Sequence, residues 1–181
     1  MNDRNQGVRQ ILAGAPFRFL SRLLAAATAA GLMVGALLVL ALTGIVGYSV
    51  GMRYLLGQPQ TWSDELVGYL MVSMVMLGAA EVMRRGEHIE VDLLTERLAP
   101  RWRRLTRIWG QAATAFVAAV LMVAGFEMVF FSASVGLLSD GYLEVPMWIP
   151  QLAVPVGAAL LLLTALGGLI RLLFEPPEGG P

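Results

Sequence analysis

The sequence predicts an all-α integral membrane protein with four transmembrane helices. The first observation is composition: 57% of the residues are hydrophobic and 14% are charged, whereas soluble proteins carry about 25% charged residues. The second is order, because four long apolar runs alternate with short polar segments. The third is the position of the arginines, since seven of the thirteen lie in one polar segment, residues 83–107, between the second and third runs.

Each apolar run is long enough to cross a bilayer, because a hydrocarbon core of ~30 Å needs ~20 helical residues. We expect spans at residues 23–50, 63–83, 105–134 and 146–174. The remaining parts are an N-terminal tail, a central connection and a C-terminal tail, at residues 1–22, 84–104 and 175–181. The first run is too long for the apolar core of a cleavable signal peptide, so we expect it to be retained. Three prolines predict a kink or break near the start of the fourth span: Pro146, Pro150 and Pro155.

The arginines also predict the orientation. Four lie in the N-terminal tail, seven in the polar segment 83–107 and one, Arg171, at the C-terminal end, whereas the two remaining loops contain only Arg53. The positive-inside rule therefore places both termini and the central connection in the cytoplasm. The tryptophans agree, since this side chain prefers the headgroup region. Two lie at the predicted outer ends of spans and two at an inner end: Trp62, Trp148, Trp102 and Trp109.

An apolar stripe runs through the second half of the central connection. At ~100° per residue its members fall within about 80° of one another: Val91, Leu94, Leu98 and Trp102. Such a stripe beside arginines predicts a short helix in the cytoplasmic membrane interface, between the second and third spans. The sequence leaves a second interpretation open, a helix packed on the other spans.

Glycines spaced four residues apart occur twice in the first span, as Gly31 with Gly35 and Gly47 with Gly51. Small residues let membrane helices approach closely, which predicts helix packing at these positions. The alternative is that glycine is simply frequent in membrane helices. Most other residues of the first and fourth runs are large and aliphatic, and contact with lipid or with a larger membrane partner explains them equally well.

The sequence contains no recognisable catalytic motif. It has no cysteine and one histidine, and it lacks a phosphate-binding loop, an HExxH motif and a nucleophile elbow. We therefore expect no enzyme activity, no metal and no cofactor, and the zero net charge argues against a nucleic-acid partner. Glu127 is an acid within the third run. A role in transport and a hydrogen bond to another helix or to the outer interface both remain open for it.

The ordered motifs resemble those of one family. They are Arg53-Tyr54 with Gly57, then Trp62-x-x-Glu65, then Gly78-Ala79, then Arg85-Gly86-x-His88-Ile89-x-Val91-Asp92. Together with the length, the four spans and the orientation, they resemble the small membrane subunit of TRAP (tripartite ATP-independent periplasmic) transporters, the DctQ-like family. The fourth span and both tails carry no matching motif.

The resemblance implies a protein of the bacterial or archaeal cytoplasmic (inner) membrane that contacts lipid and packs against a large TRAP membrane subunit of about twelve spans. It implies sodium-driven uptake of an organic acid, delivered by a periplasmic solute-binding protein. It also favours structural or partner-contact roles for Arg53, Trp62 and Glu65 on the outer side and for His88 and Asp92 on the inner side. The rival hypothesis is a self-contained small channel or transporter formed by homo-oligomerisation.

Overall fold

The computed structural model describes residues 15–85 and 100–174, and the side chains of residues 22–85 and 102–173. It contains the helices α1 (Ala15–Leu55), α2 (Trp62–Arg85), α3 (Pro100–Val135), α4 (Trp148–Gln151) and α5 (Ala153–Phe174). In these ranges the only extended pairing is a single β-bridge between Leu138 and Pro146. Four stretches are long and apolar enough to cross a membrane, the last of them formed by α4 and α5 together. The predicted fold class of four membrane-spanning helices is confirmed.

Two of the spans are longer than a bilayer core requires. Helix α1 has 41 residues and α3 has 36, which at ~1.5 Å per residue makes them roughly 62 and 54 Å long. A hydrocarbon core is only ~30 Å thick. Both helices must therefore tilt strongly or extend beyond the core at one or both ends.

Glycine ends both of these helices. Gly57 and Gly136 each have a φ of 66°, a left-handed conformation that glycine adopts at little cost. After Gly136, the Leu137 amide donates to the Ser132 carbonyl oxygen at 2.9 Å, which satisfies a carbonyl at the end of α3. These two glycines therefore turn the chain out of α1 and α3.

The predicted break at the start of the fourth span is present, between α4 and α5 at Leu152. The backbone of Leu152 remains helical, with φ −57° and ψ −27°. Pro155 has no N–H and cannot donate to the Gln151 carbonyl one turn earlier. The missing bond accounts for the interruption of an otherwise continuous helix.

The spans form an open row. Helix α1 packs against α2, α2 against α5, and α5 against α3, with a smaller contact between α1 and α5. Among the described helices, α3 contacts neither α1 nor α2. The order across the row is therefore α1, α2, α5, α3. Such a row leaves far more helix surface uncovered than a closed four-helix bundle does.

Small residues lie at each contact in this row. A Cβ atom at Gly31 would lie 3.0 Å from the Leu77 backbone oxygen, between α1 and α2, and one at Gly157 would lie 2.5 Å from the Met76 backbone oxygen, between α2 and α5. A Cβ atom at Gly125 would lie 3.0 Å from Pro155, between α3 and α5. Most of the buried side chains in the spans are also small: Thr28, Ser49, Ser63, Ala80, Ala115, Ala118, Ser132, Ala158, Thr164 and Ala165. The helices therefore associate through close backbone approach, as is usual in lipid.

Large apolar side chains point away from the row. Only 11–28% of the residues in the most apolar window of each span are buried. The large exposed residues include members of every span, among them Met33, Leu40, Val75, Phe116, Phe130 and Leu163. This surface must face lipid or another membrane protein, because water would not tolerate an apolar area of this size.

Candidate functional site

Glu65 joins the start of α2 to the loop between α3 and α4. Its Oε1 accepts a hydrogen bond from the Tyr69 hydroxyl at 2.8 Å, one turn further along α2. Its Oε2 accepts from the Leu143 amide at 3.5 Å, a contact between residues 78 positions apart. Gly141 lies so close to this carboxylate that a Cβ atom there would overlap it. The Glu65 side chain thus fixes the loop against α2.

The loop that Glu65 contacts has its own backbone bonds. The Ser139 amide donates to the Val145 oxygen and the Met147 amide to the Leu137 oxygen, both at 2.9 Å. The Val145 amide also donates to Ser139 Oγ at 3.2 Å. These bonds close residues 137–147 into a compact hairpin-like turn. The turn and Glu65 form one unit, which we call the outer-loop clamp (Glu65, Tyr69 and residues 137–147).

Trp62 lies beside the outer-loop clamp, at the junction of α1 and α2. Its Nε1 donates to Gln60 Oε1 at 2.9 Å, and its ring lies 6.3 Å from the Tyr48 ring on α1. The neighbouring Ser63 hydroxyl is buried, 3.0 Å from Ser49 Oγ on α1. The Trp62 ring therefore packs the start of α2 against the last turns of α1.

Arg53 lies in the last turn of α1 and is exposed. The ion pairs between described residues join Glu81 to Arg84 and to Arg85, so Arg53 and Glu65 do not pair with each other. The Glu65 carboxylate is instead bonded to Tyr69 and to the α3–α4 loop. The Arg53 guanidinium consequently presents its charge at the surface.

Glu81 forms a second polar unit at the opposite end of α2. Its side chain is fully buried. Arg84 donates to it through Nε at 2.7 Å and Nη2 at 2.6 Å, and Arg85 donates through Nε at 2.8 Å. The two arginine side chains are 36% and 48% exposed, so the acid is covered while the cations reach the surface. This geometry neutralises the one buried acid of α2 locally.

Arg104 joins α3 to the end of α5. Its Nη2 donates to the Leu172 carbonyl oxygen at 2.9 Å and to the Leu173 oxygen at 3.4 Å. The last carbonyls of a helix have no partner within the helix, and a cation there also interacts favourably with the helix dipole. The Arg104 contact therefore ties the two helices together at one end of their packing interface.

The glycine pairs of α1 differ in their surroundings. Gly31 and Gly35 face α2, where their Cβ atoms would lie 3.0 Å from the Leu77 oxygen and 3.6 Å from the Met74 oxygen. Gly47 and Gly51 have no other atom within 4 Å of a Cβ position. Only the first pair therefore allows close approach of a described neighbouring helix.

Several predicted site residues lie outside the described residues: His88, Asp92, Val91, Leu94 and Leu98. Trp102, the last member of the predicted interfacial stripe, lies in the first turn of α3 and is 61% exposed. The structure brings Trp62 and Glu65 to one end of α2 and Arg53 to the adjoining end of α1.

Sequence reasoning missed most contacts of the outer-loop clamp. Tyr69 follows Glu65 by four residues, a spacing at which helical side chains meet, so its contact was predictable. The contact with Leu143 spans 78 positions and has no local signal in the sequence. Arg104 is one of the arginines of the central connection, and its bond to α5 depends on how two distant helices pack.

No cluster of metal-ligating side chains is present in the part of the chain that the structure describes. The polar contacts above join helices and loops to one another. Four apolar spans in an open row with polar contacts near their ends define a multi-pass membrane protein.

Comparison with known proteins gives the family. Residues 42–175 match the family described as "Tripartite ATP-independent periplasmic transporters, DctQ component". The match covers most of the chain, so this protein belongs to the DctQ family, as the motif order predicted. The homologues are transporter permease subunits and not enzymes.

Three relatives show the extent of the similarity. The chain is 34% identical over 100 residues to the C4-dicarboxylate TRAP transporter small permease protein DctQ of Rhodobacter capsulatus, covering 55% of this chain and 44% of that protein. It is 30% identical over 126 residues to the DctQ protein of Pseudomonas aeruginosa, covering 68% and 60%. It is 25% identical over 137 residues to the sialic acid TRAP transporter small permease protein SiaQ of Vibrio cholerae, covering 75% and 77%. The matched part is thus under two thirds of the two DctQ relatives.

A fourth relative is a longer protein. The chain is 32% identical over 78 residues to the sialic acid TRAP transporter permease protein SiaT of Haemophilus influenzae, and the match is 43% of this chain but only 13% of that protein. A segment similar to this chain therefore occurs as one part of a much larger permease polypeptide.

Proposed function

We propose that this chain is the small membrane subunit of a TRAP-type secondary transporter. It packs against the large transport subunit and supports sodium-driven, binding-protein-dependent uptake of an organic acid. Both of its termini lie in the cytoplasm. The solute and sodium sites belong to the large subunit, and this chain acts as a fixed membrane scaffold for it.

The observation that carries this proposal is the open row of helices in a member of the DctQ family. The spans leave most of their large apolar side chains uncovered. An isolated channel or transporter needs a polar pathway enclosed by helices, whereas the described spans do not close into a ring, since α3 contacts neither α1 nor α2. A broad uncovered surface is what an accessory subunit offers to a larger membrane protein.

The distribution of polar contacts supports the orientation. Glu81 and its two arginines, Arg104 and Arg171 lie at one end of the helices, where α2 ends and α3 begins. The outer-loop clamp lies at the other end, where Asp140 and Glu144 make the loop acidic. The positive-inside rule assigns the first end to the cytoplasm. The clamp then faces the periplasm, where the solute-binding protein must deliver its ligand.

Reconstituted uptake tests the proposal. Proteoliposomes containing this chain and its large permease subunit, supplied with the solute-binding protein, should accumulate radiolabelled organic acid when a sodium gradient is applied. Omission of this chain should abolish accumulation, and a potassium gradient of the same size should not replace sodium. Uptake that is unchanged without this chain would contradict the proposal. Solute flux through this chain alone would support the homo-oligomeric channel instead.

Two single substitutions probe the motif residues. Arg53→Ala removes an exposed charge at the end of α1, and Asp92→Ala removes an acid of the family motif. We expect both variants to reduce uptake in cells while solute capture by the separate binding protein stays intact. Membrane abundance of each variant, measured by immunoblotting, is the control. Wild-type uptake in both variants would remove these residues from the functional surface.

A further inference from the structure

Helix α3 has two faces of opposite character. The face towards α5 is small and buried, with Ala115, Ala118, Gly125 and Ser132. The other face carries large apolar side chains and one acid. From Phe116 onwards these residues lie alternately four and three positions apart. We call this face the outward stripe: Trp109, Phe116, Val120, Val123, Glu127 and Phe130. Its five apolar members are each more than half exposed, from 51% for Val120 to 80% for Phe130.

Glu127 is the unusual member of the outward stripe. It follows Gly125 by two residues, about 200° around the helix, so it points away from α5. Its side chain is exposed, and it forms no hydrogen bond or ion pair within the part of the chain that the structure describes. Apolar side chains surround it on both sides, since Val123 precedes it and Phe130 follows it at more than half exposure.

Lipid alone is a poor environment for this carboxylate. Glu127 lies eight residues before the end of α3 at Val135, about 12 Å along the helix axis. A carboxylate at membrane depth is costly unless a donor or cation meets it. No other described helix reaches the outward stripe, because α3 contacts only α4 and α5. Among the described helices no donor meets this carboxylate, so one from outside them is required.

We propose that the outward stripe of α3 is the docking surface for a membrane-spanning helix of the large permease subunit, and that this helix presents an arginine or lysine to Glu127. The proposal rests on the proposed function above. The alternation of four and three residues is the spacing at which a second helix packs into a stripe, and a polar residue in such a stripe fixes the register of the two helices. In the SiaT relative, a segment similar to this chain is part of a larger permease polypeptide, which supports the choice of partner.

A second copy of this chain fits the stripe less well. Two copies related by a two-fold axis along this stripe would bring Glu127 towards Glu127, and like charges repel in lipid. The described arginines lie at the ends of the helices: Arg22, Arg53, Arg84, Arg85, Arg103, Arg104, Arg107 and Arg171. Among them only Arg53 lies at the same end of the helices as Glu127, and it is on α1 at the opposite edge of the row, so a second copy that meets this stripe brings no described arginine to Glu127. Charge complementarity therefore favours a different protein.

Co-purification of the two permease subunits tests the docking surface. An affinity tag on this chain should retain the co-expressed large subunit in mild detergent. We expect Glu127→Ala to reduce retention roughly 3- to 20-fold, the effect of removing one strong contact between membrane helices. Val120→Trp should also reduce it, because the larger ring blocks close packing in the middle of the stripe.

Two matched controls carry the same chemical changes elsewhere. Glu144→Ala removes an exposed acid of the outer loop, and Val39→Trp enlarges an exposed valine of α1. Both should retain the large subunit as the wild type does. Each variant should also unfold at the wild-type temperature when purified alone, because the altered side chains are exposed.

Site-specific photo-crosslinking gives an independent readout. Benzoylphenylalanine at position 130 should form an adduct with the large subunit, and the same residue at position 33 on α1 should not. Retention of the large subunit by both Glu127→Ala and Val120→Trp would contradict the proposed docking surface. So would a loss of retention in Val39→Trp alone. An adduct with a second copy of this chain would also contradict it. Failure of the wild type to retain the large subunit, or to support uptake, would instead contradict the proposed function itself.

Discussion

At the scale of single residues, two acids of α2 are satisfied in different ways. Glu65 is bonded to Tyr69 and to a loop amide 78 positions away, so it determines where the α3–α4 loop lies. Glu81 is bonded to two arginines within one turn of its own helix, so it can be buried in a membrane span without an outside partner. Glu127 has neither kind of contact among the described residues. The three acids therefore differ in their surroundings: Glu65 contacts a distant loop, Glu81 is paired within its own helix, and Glu127 is exposed.

Glu65→Ala should loosen the outer-loop clamp. The variant loses the acceptor for the Leu143 amide, so hydrogen–deuterium exchange should become several-fold faster at residues 137–145, with little change in the spans. Glu65→Gln keeps one carbonyl acceptor and should show a smaller increase.

Asp64 supplies the control for Glu65. It lies in the same first turn of α2 and is exposed. Asp64→Ala should leave exchange in the loop unchanged. Equal exchange in Glu65→Ala and in the wild type would show that the backbone bonds of the loop suffice to hold it.

At the scale of the elements, glycine positions set how closely the helices approach. Gly31 lies between α1 and α2, Gly157 between α2 and α5, and Gly125 between α5 and α3. Each contact of the row therefore includes a glycine where a side chain would meet backbone or a proline ring. In lipid the apolar effect does not drive helices together, so packing geometry at such positions decides which helices associate.

Gly157→Ala should destabilise the row. The added Cβ would lie 2.5 Å from the Met76 backbone oxygen, and α2 and α5 must separate to relieve that overlap. We expect a loss of about 1–3 kcal/mol in the free energy of unfolding, measured by thermal unfolding in detergent.

Gly47→Ala is the matched control for Gly157. A Cβ at Gly47 meets nothing within 4 Å, and alanine favours helix by up to about 1 kcal/mol over glycine. This variant should unfold at or slightly above the wild-type temperature. A comparable loss in both variants would show that the loss does not come from the contact between Gly157 and Met76.

At the scale of the whole molecule, the open row of helices and the distribution of charges make the protein asymmetric. Helix α3 lies at one edge of the row and α1 at the other, so the outward stripe is available to a partner without any rearrangement of the four spans. The arginine-rich end and the outer-loop clamp lie on opposite sides of the membrane in the proposed orientation. In the proposed assembly, the protein therefore contacts the large subunit laterally while it presents different surfaces to the two compartments.

Cysteine labelling can test this orientation, because the chain has no cysteine of its own. In intact cells with a permeable outer membrane, Asp140→Cys in the α3–α4 loop should react with a membrane-impermeant maleimide. Asn2→Cys should react only after the inner membrane is disrupted. The cysteine-free parent is the control for background. The reverse pattern would contradict the twelve-to-one arginine distribution as a guide to topology.

The sequence predicted the four spans and the break before α5, because apolar run length and proline position are local signals. The family also followed from ordered local motifs. The outer-loop clamp was predicted only in part: Glu65 was singled out, but its partner Leu143 was not, since no local rule links residues 78 positions apart. The sequence could not tell which of Gly31 and Gly47 packs against another helix, because both belong to the same kind of glycine pair in the same helix.

The sequence by itself determined that this protein spans the membrane four times. The bilayer requires each spanning segment, separately from the others, to satisfy its own backbone hydrogen bonds. Only the tertiary structure decided which faces of those helices meet. In that structure α5 lies between α2 and α3. Gly31 packs closely against a neighbouring helix and Gly47 does not, and Glu127 lies on the outward stripe. The physical reason is that every face of such a helix is apolar, so sequence pattern cannot separate a packed face from a lipid-facing one, whereas the fit between particular side chains can.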